Sequence, residues 1–224
     1  MPGSSSFRRT SLVRVRVRPI SFDVLVEELA DRLAGQLPDG RLRVAVDGAP
    51  AAGPDRLADA LVDPLRVRGR PAVRVRSDDF LRPASVRLEF GRTNPDTFYA
   101  GWLDEPALRR EVLDPAGPGG SGRVVTRLWD ARTDRATREP YSDLPPTAVV
   151  LVSGPLLLGA GLPFDVTVHL SLSAAALDRR TDPEQRCTLP AYARYGAEVD
   201  PAALADVVVR LDDPRHPALV LDRF

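Results

Sequence analysis

Leu42-Arg43-Val44-Ala45-Val46-Asp47 runs directly into Gly48-Ala49-Pro50-Ala51-Ala52-Gly53, and Pro54-Asp55-Arg56-Leu57 follows. The first six residues read as a strand. The next six are small and read as a loop. A helix is predicted from about Pro54 to Leu65, since proline is tolerated in a first helical turn. Strand, glycine-bounded loop and helix in this order start an α/β unit.

Upstream, Phe22, Leu25, Val26, Leu29 and Leu33 follow helical spacing, with Ser21 as N-cap and Gly35 as stop. Leu12 to Val17 alternates apolar residues with arginine, as an exposed or edge strand does, and residues 1–10 are polar and expected to be disordered. Downstream, Ala72 to Arg76 reads as a strand, Glu105 to Leu113 as a short helix and Asp114 to Gly122 as a Pro/Gly turn segment. Arg123 to Trp129 and the residues after Thr133 are predicted to form a hairpin. Thr147 to Val152 is apolar enough for a strand buried on both faces, Val166 to Leu170 is another, a helix follows from about Ser173 to Arg180, and Ala205 to Leu211 is a late strand. Alternating strands and helices predict a three-layer α/β fold, a mostly parallel central sheet flanked by helices.

The chain has 224 residues, enough for one well-packed domain. Its formal net charge is zero, which gives no long-range pull toward nucleic acid or a membrane. No apolar run is long enough for a membrane span. Arg8-Arg9 resembles the start of an export signal, but Arg14, Arg16 and Arg18 break the apolar stretch such a signal needs. With Cys187 alone no intrachain disulfide forms, and a cytoplasmic location is expected. The chain contains no lysine, as codon bias in a GC-rich genome would produce.

The spacing of Gly48 and Gly53 is that of a phosphate-binding loop, in which backbone N–H groups cradle phosphates, a lysine after the second glycine reaches the outer ones, and the next hydroxyl ligates magnesium. Pro54 stands at the lysine position and Asp55 at the hydroxyl position. Proline supplies neither a cation nor an N–H. Asp55 either repels phosphates or ligates a metal itself. A plain strand-to-helix turn is the alternative reading of this loop.

Further motifs keep a recognisable order. Arg76-Ser77-Asp78-Asp79-Phe80-Leu81-Arg82-Pro83, Gly91-Arg92-Thr93-Asn94-Pro95-Asp96-Thr97-Phe98-Tyr99, Ala107 to Pro115, Gly117-Pro118-Gly119-Gly120 and Trp129-Asp130 to Thr133-Asp134 resemble successive segments of the uridine kinase-like P-loop proteins, a group that includes pantothenate kinase and phosphoribulokinase types. The resemblance covers roughly residues 40–212. It implies a single domain over 21–224 behind an arm at 1–20, a substrate-side insertion at about 82–140 and a lid near 178–196. It implies Asp78 as the general base of phosphoryl transfer. It implies Gly48, Ala49, Ala51, Ala52, Gly53, Asp55, Arg179 and Arg180 as nucleotide-binding, with Asp55 also the metal candidate. It places Asp79, Arg82, Arg92, Asp96, Phe98 and Tyr99 on the acceptor side, with ATP and Mg2+ as cofactors if the chain is active.

At Ser153, where the resemblance calls for an acidic residue helping to hold magnesium, this chain departs again. His169 reads as a core or edge residue, His216 as a loop residue, and Cys187 has no obvious base beside it. Two functions remain open: ATP-dependent phosphorylation of a hydroxyl on a nucleoside or similar small molecule, in impaired form, or an inactive pseudokinase that binds a ligand or partner. A scaffold that dimerises through its N-terminal strand and helix is a third.

Overall fold

The computed structural model describes residues 16–221. The expectation for residues 1–10, and most of the Leu12–Val17 alternation, falls outside the described residues. Seven strands form one sheet: β1 (Val17–Pro19), β2 (Leu42–Asp47), β3 (Ala72–Arg76), β4 (Val149–Gly154), β5 (Val166–Ser171), β6 (Val207–Arg210) and β7 (Ala218–Val220). Their order is β1-β7-β6-β5-β2-β4-β3. The five from β6 to β3 are parallel, and β7 and β1 add antiparallel to one edge.

β2 lies at the centre, paired with β4 through Leu42↔Val149 and with β5 through Val44↔Val166. Every residue of β2 and β4 is buried, as parallel strands covered on both faces require. Alternation divides the core. Val44, Val46, Val149 and Leu151 face helices α1 (Phe22–Ala34) and α2 (Pro54–Val67), while Ala45, Val150 and Val152 face the other layer with Phe80, Leu108 and Leu113.

Ser21 caps α1, its hydroxyl accepting from Val24 N. Gly35 ends that helix in right-handed backbone, held by Asp31 and Leu33 carbonyls. α2 continues past Pro64 to Val67, two residues beyond the expected end. Arg43, pointing out of β2, makes a paired contact with Asp165: Nε to Oδ2 at 2.9 Å and Nη2 to Oδ1 at 2.6 Å, with Arg43 N also donating to Oδ2 at 2.8 Å. This fork-on-carboxylate geometry pins the segment entering β5.

The segment at about 82–140 differs most from its reading. Helix α3 (Pro95–Gly101) was not anticipated; α4 (Glu105–Leu108) is the start of the expected helix at 105–113, which widens into a π turn over Arg109–Leu113 and runs on as a short helix to Ala116. Pro106 sits in the first turn, where its missing N–H costs nothing, and the Glu111 carbonyl that Pro115 cannot reach accepts from Val125 N at 3.2 Å. The expected hairpin is confined to Trp129–Asp130 against Arg135–Ala136, because Arg123–Val124 pairs instead with Ser142–Asp143. At the other side, α5 (Ala174–Arg180) follows β5, and α6 (Leu189–Glu198) crosses back over the strand ends.

Candidate functional site

β3 ends in a tight turn, Ser77–Phe80, which places Asp78 and Asp79 just beyond the sheet. Phe80 is wholly buried and anchors that turn. Two backbone bonds, Arg82 N to Trp102 O at 2.9 Å and Asp104 N to Phe80 O at 2.8 Å, draw residues 102–104 alongside 80–82. Asn94 caps α3 by accepting from Asp96 N at 2.9 Å and Thr97 N at 3.2 Å. One helical turn separates Phe98 from Trp102, so both project to one side. Phe98 meets Trp102 edge-on at 5.1 Å and Tyr192 of α6 at 5.7 Å.

These elements enclose a cavity of about 340 Å³. Asp78, Arg92, Phe98 and Tyr99 line it, as the resemblance implied, and so do Arg87, Trp102, Glu105 and Tyr192, which sequence reasoning missed. Trp102 carries a discoverable signal: it stands four residues after Phe98. Its indole N–H is buried and has no protein acceptor, although Arg87 stacks on the ring at 5.3 Å. The other acceptor-side candidates are elsewhere. Asp79 is paired with Arg127 at 2.9 Å, Asp96 with Arg194 at 3.3 Å, and Arg82 does not line the cavity.

Asp78 also lines a smaller cavity of about 100 Å³ with Gly53, Pro54, Asp55, Ser77 and Ser153, and so stands between the larger cavity and the loop at 48–55. Asp78 is exposed as a residue, but protein atoms crowd its carboxyl. That partial burial, then the charges of Asp55 and Asp79, raise it above the usual carboxylate range, against Arg76 and Arg87. Burial likewise raises Glu105. Burial, and then Asp47 and Asp78, hold the Tyr192 phenol far up, so Tyr192 remains an O–H donor.

A raised carboxyl destabilises the folded state once it ionises. The penalty is absent below the ordinary carboxylate range, grows as pH rises from there to the raised folded value, and is constant above it. Asp78→Asn removes it. Because water screens this group, the expected gain at pH 7 is about 0.5 kcal/mol, roughly 1–2 °C in Tm, fading to nothing near pH 3. Thermal melts of both proteins across pH measure it; a variant less stable at pH 7 would contradict the assignment.

In the loop at 48–55, Gly53 adopts φ 74°, which only glycine takes without strain. Gly154, the last residue of β4, leaves room for Ser77: a Cβ there would lie 1.8 Å from the Ser77 hydroxyl. The loop between has folded on itself. Ala52 N donates to Ala49 O at 2.8 Å, Gly53 N to Pro50 O at 2.9 Å and Gly48 N to Gly154 O at 3.2 Å. Pro50 and Pro54 have no N–H to give.

Asp55 is engaged as well. Its carboxylate accepts a short bond from the Ser153 hydroxyl, and Arg74 Nη2 lies 3.5 Å from it while donating to Ser153 Oγ at 2.9 Å. Arg180 donates to the Leu211 and Asp212 carbonyls at 2.7 and 2.5 Å while lining two cavities with the loop residues Pro50 and Ala51, and Arg179 is exposed. No group of three or more acidic, histidine or cysteine side chains among the described residues could hold a metal. Three of the loop N–H groups, on Gly48, Ala52 and Gly53, are spent on carbonyls, and the Asp55 carboxylate already accepts from Ser153 and lies within ion-pair distance of Arg74. These residues do not fit a magnesium–triphosphate.

Behind the loop lies a network that the sequence did not reveal. Asp47, wholly buried, accepts from Leu157 N at 2.9 Å, from the Tyr195 hydroxyl at 3.2 Å and from His169 Nδ1 at 2.6 Å. The Tyr195 oxygen accepts in turn from Leu158 N at 3.0 Å. His169 is a core residue as expected, but a bonded one that fixes the residue preceding Gly48.

The mostly parallel sheet, its flanking helices and the strand–loop–helix at 42–67 together define the fold of the P-loop kinases. The chain is similar to a possible uridine kinase from Bacillus stearothermophilus, with TM-score 0.66 and 20% identity over 82% of this chain and 96% of that one. It is also similar to a candidate fructose transport system kinase from Silicibacter sp. TM1040, with TM-score 0.51 and 23% identity over 82% and 91% of the two chains. The YGR205w protein gives TM-score 0.50 and 12% identity over 88% and 96%. No protein-family model and no curated protein matches the chain. No helix among the described residues is long and apolar enough to cross a membrane.

Proposed function

We propose that this chain is a uridine kinase-like protein that binds a small, hydroxyl-bearing aromatic molecule of nucleoside type in the Asp78 cavity, and that it works as a ligand-binding pseudokinase. The cavity carries the proposal. Phe98, Trp102 and Tyr192 offer faces and edges for a flat ring, and the free Trp102 N–H offers a donor to a ring carbonyl. Glu105 and Asp78 are the acceptors, and Arg92 and Tyr192 the donors, for sugar hydroxyls. The likeness to a possible uridine kinase suggests uridine and cytidine as first probes. Cytoplasmic residence belongs to the same proposal, consistent with the single free Cys187.

One observation favours a second reading, slow phosphoryl transfer. Asp78 lines both cavities, so a hydroxyl held beside it would face the loop. A coupled kinase assay with uridine, cytidine, pantothenate and sugars, alongside calorimetry with the same compounds, separates the two. Binding of a nucleoside without turnover supports the first reading. Turnover in the ordinary kinase range, above about 1 per second, would replace it with the second.

A further inference from the structure

Arg74, one of two β3 arginines that pair with Asp59 of α2, has no role in the reading so far. Its side chain is mostly buried, and each guanidinium nitrogen is engaged: Nε with Asp59 at 2.6 Å, Nη1 with the Leu151 carbonyl at 3.1 Å, and Nη2 with Ser153 Oγ at 2.9 Å and the Asp55 carboxylate at 3.5 Å. Three partners are side chains from two other elements: Asp55 and Asp59 lie on α2, and Ser153 on β4. The guanidinium sits below the loop, against Asp55 and Ser153, which line the smaller cavity together with Asp78, Ser77 and Arg76.

We propose that Arg74 is a resident cation: with Asp55 and Ser153 it closes the phosphate side of the site, so that divalent metal is excluded and the acceptor cavity takes its ligand without metal or nucleotide. The charges argue for this. A metal ion entering beside Asp55 would meet a guanidinium within ion-pair distance and a serine hydroxyl already committed as donor to Asp55 and acceptor from Arg74. Magnesium needs oxygen ligands free to turn toward it. The chain also explains its own substitutions in this way. Pro54 removes a lysine that would have competed for Asp55, and Ser153 is short enough to admit the guanidinium where a longer carboxylate would fill the space.

The inference rests on reading 48–55 as the phosphate side of the fold, but not on which ligand fills the cavity. Its test is Mn2+ binding followed by electron paramagnetic resonance on the full chain, with Arg74→Met and Arg74→Lys. Methionine keeps the buried stem and removes the charge. The parent and Arg74→Lys are expected to take up no Mn2+ at sub-millimolar concentrations, whereas Arg74→Met binds it at least about tenfold more tightly, since Asp55 is then uncompensated. The gain is expected to vanish in Arg74→Met combined with Asp55→Asn. Tight uptake by the parent overturns the proposal whether or not the variants fold, and so does a folded Arg74→Met that binds no better than the parent. An absent nucleoside signal with this Mn2+ pattern intact would refute the cavity reading alone.

Discussion

Asp47→Ala is expected to cost about 3–5 kcal/mol, a fall of roughly 6–20 °C in Tm. Three donors converge on this one buried carboxylate: the Leu157 amide, the Tyr195 hydroxyl and the His169 ring. A carboxylate only accepts, so His169 holds its proton on Nδ1. Alanine leaves all three donors facing a void, and a buried unsatisfied donor costs about 1–3 kcal/mol. The three donors come from segments more than a hundred residues away in sequence, so the loss loosens β5, α6 and the turn after β4 together. Asp47→Asn keeps the shape and one acceptor oxygen and is expected to cost less than half as much. Thermal or urea unfolding checks both; a loss under about 1 kcal/mol for alanine would mean that the network is not a structural anchor.

The second large effect is on binding. Trp102→Ala is expected to weaken nucleoside binding about 100-fold, near 2–3 kcal/mol. Trp102 contributes a ring beside Phe98, its unpartnered N–H, and the surface on which Arg87 stacks. Trp102→Phe restores the ring without the N–H and is expected to recover about half of the lost free energy. Melting curves guard against a folding defect, because Trp102 is only half-buried. Titration calorimetry with uridine and cytidine reads the difference. Equal losses for the alanine and phenylalanine variants would assign the effect to the N–H alone, and no loss in either would place the ligand elsewhere.

Much of this frame is legible because local rules set it. The succession at 42–67 needs only residue size, two glycines and a tolerated proline. Ser21 as a cap and the α1 stripe are likewise local. The ordered motifs at 76–134 located Asp78, Arg92, Phe98 and Tyr99, all of which line one cavity. The remainder depends on contacts remote in sequence. Arg74 and Ser153 are 79 residues apart, and a lone arginine in a strand shows an exposed face as readily as a buried pair. His169 passes for an ordinary core residue until Asp47, 122 residues earlier, is placed beside it. Tyr192 joins the cavity only because α6 crosses the strand ends. The Arg123–Val124 and Ser142–Asp143 pairing enfolds a smaller hairpin, which no turn signal distinguishes from the simple hairpin expected. The resemblance implied Arg179 and Arg180 as phosphate ligands; Arg180 binds the carbonyls that follow β6 and also lines cavities with Pro50 and Ala51, an arrangement that only the folded chain reveals.

The central claim is a kinase fold whose acceptor cavity binds while its phosphate side is closed. Calorimetric titration of uridine and cytidine into the chain, with and without a non-hydrolysable ATP analogue and Mg2+, tests it most directly. The account predicts saturable nucleoside binding whose Kd changes less than about twofold on adding the analogue and metal, which by themselves give no heat up to about 1 mM. Micromolar, metal-dependent binding of the analogue, or nucleoside binding that appears only in its presence, would contradict it.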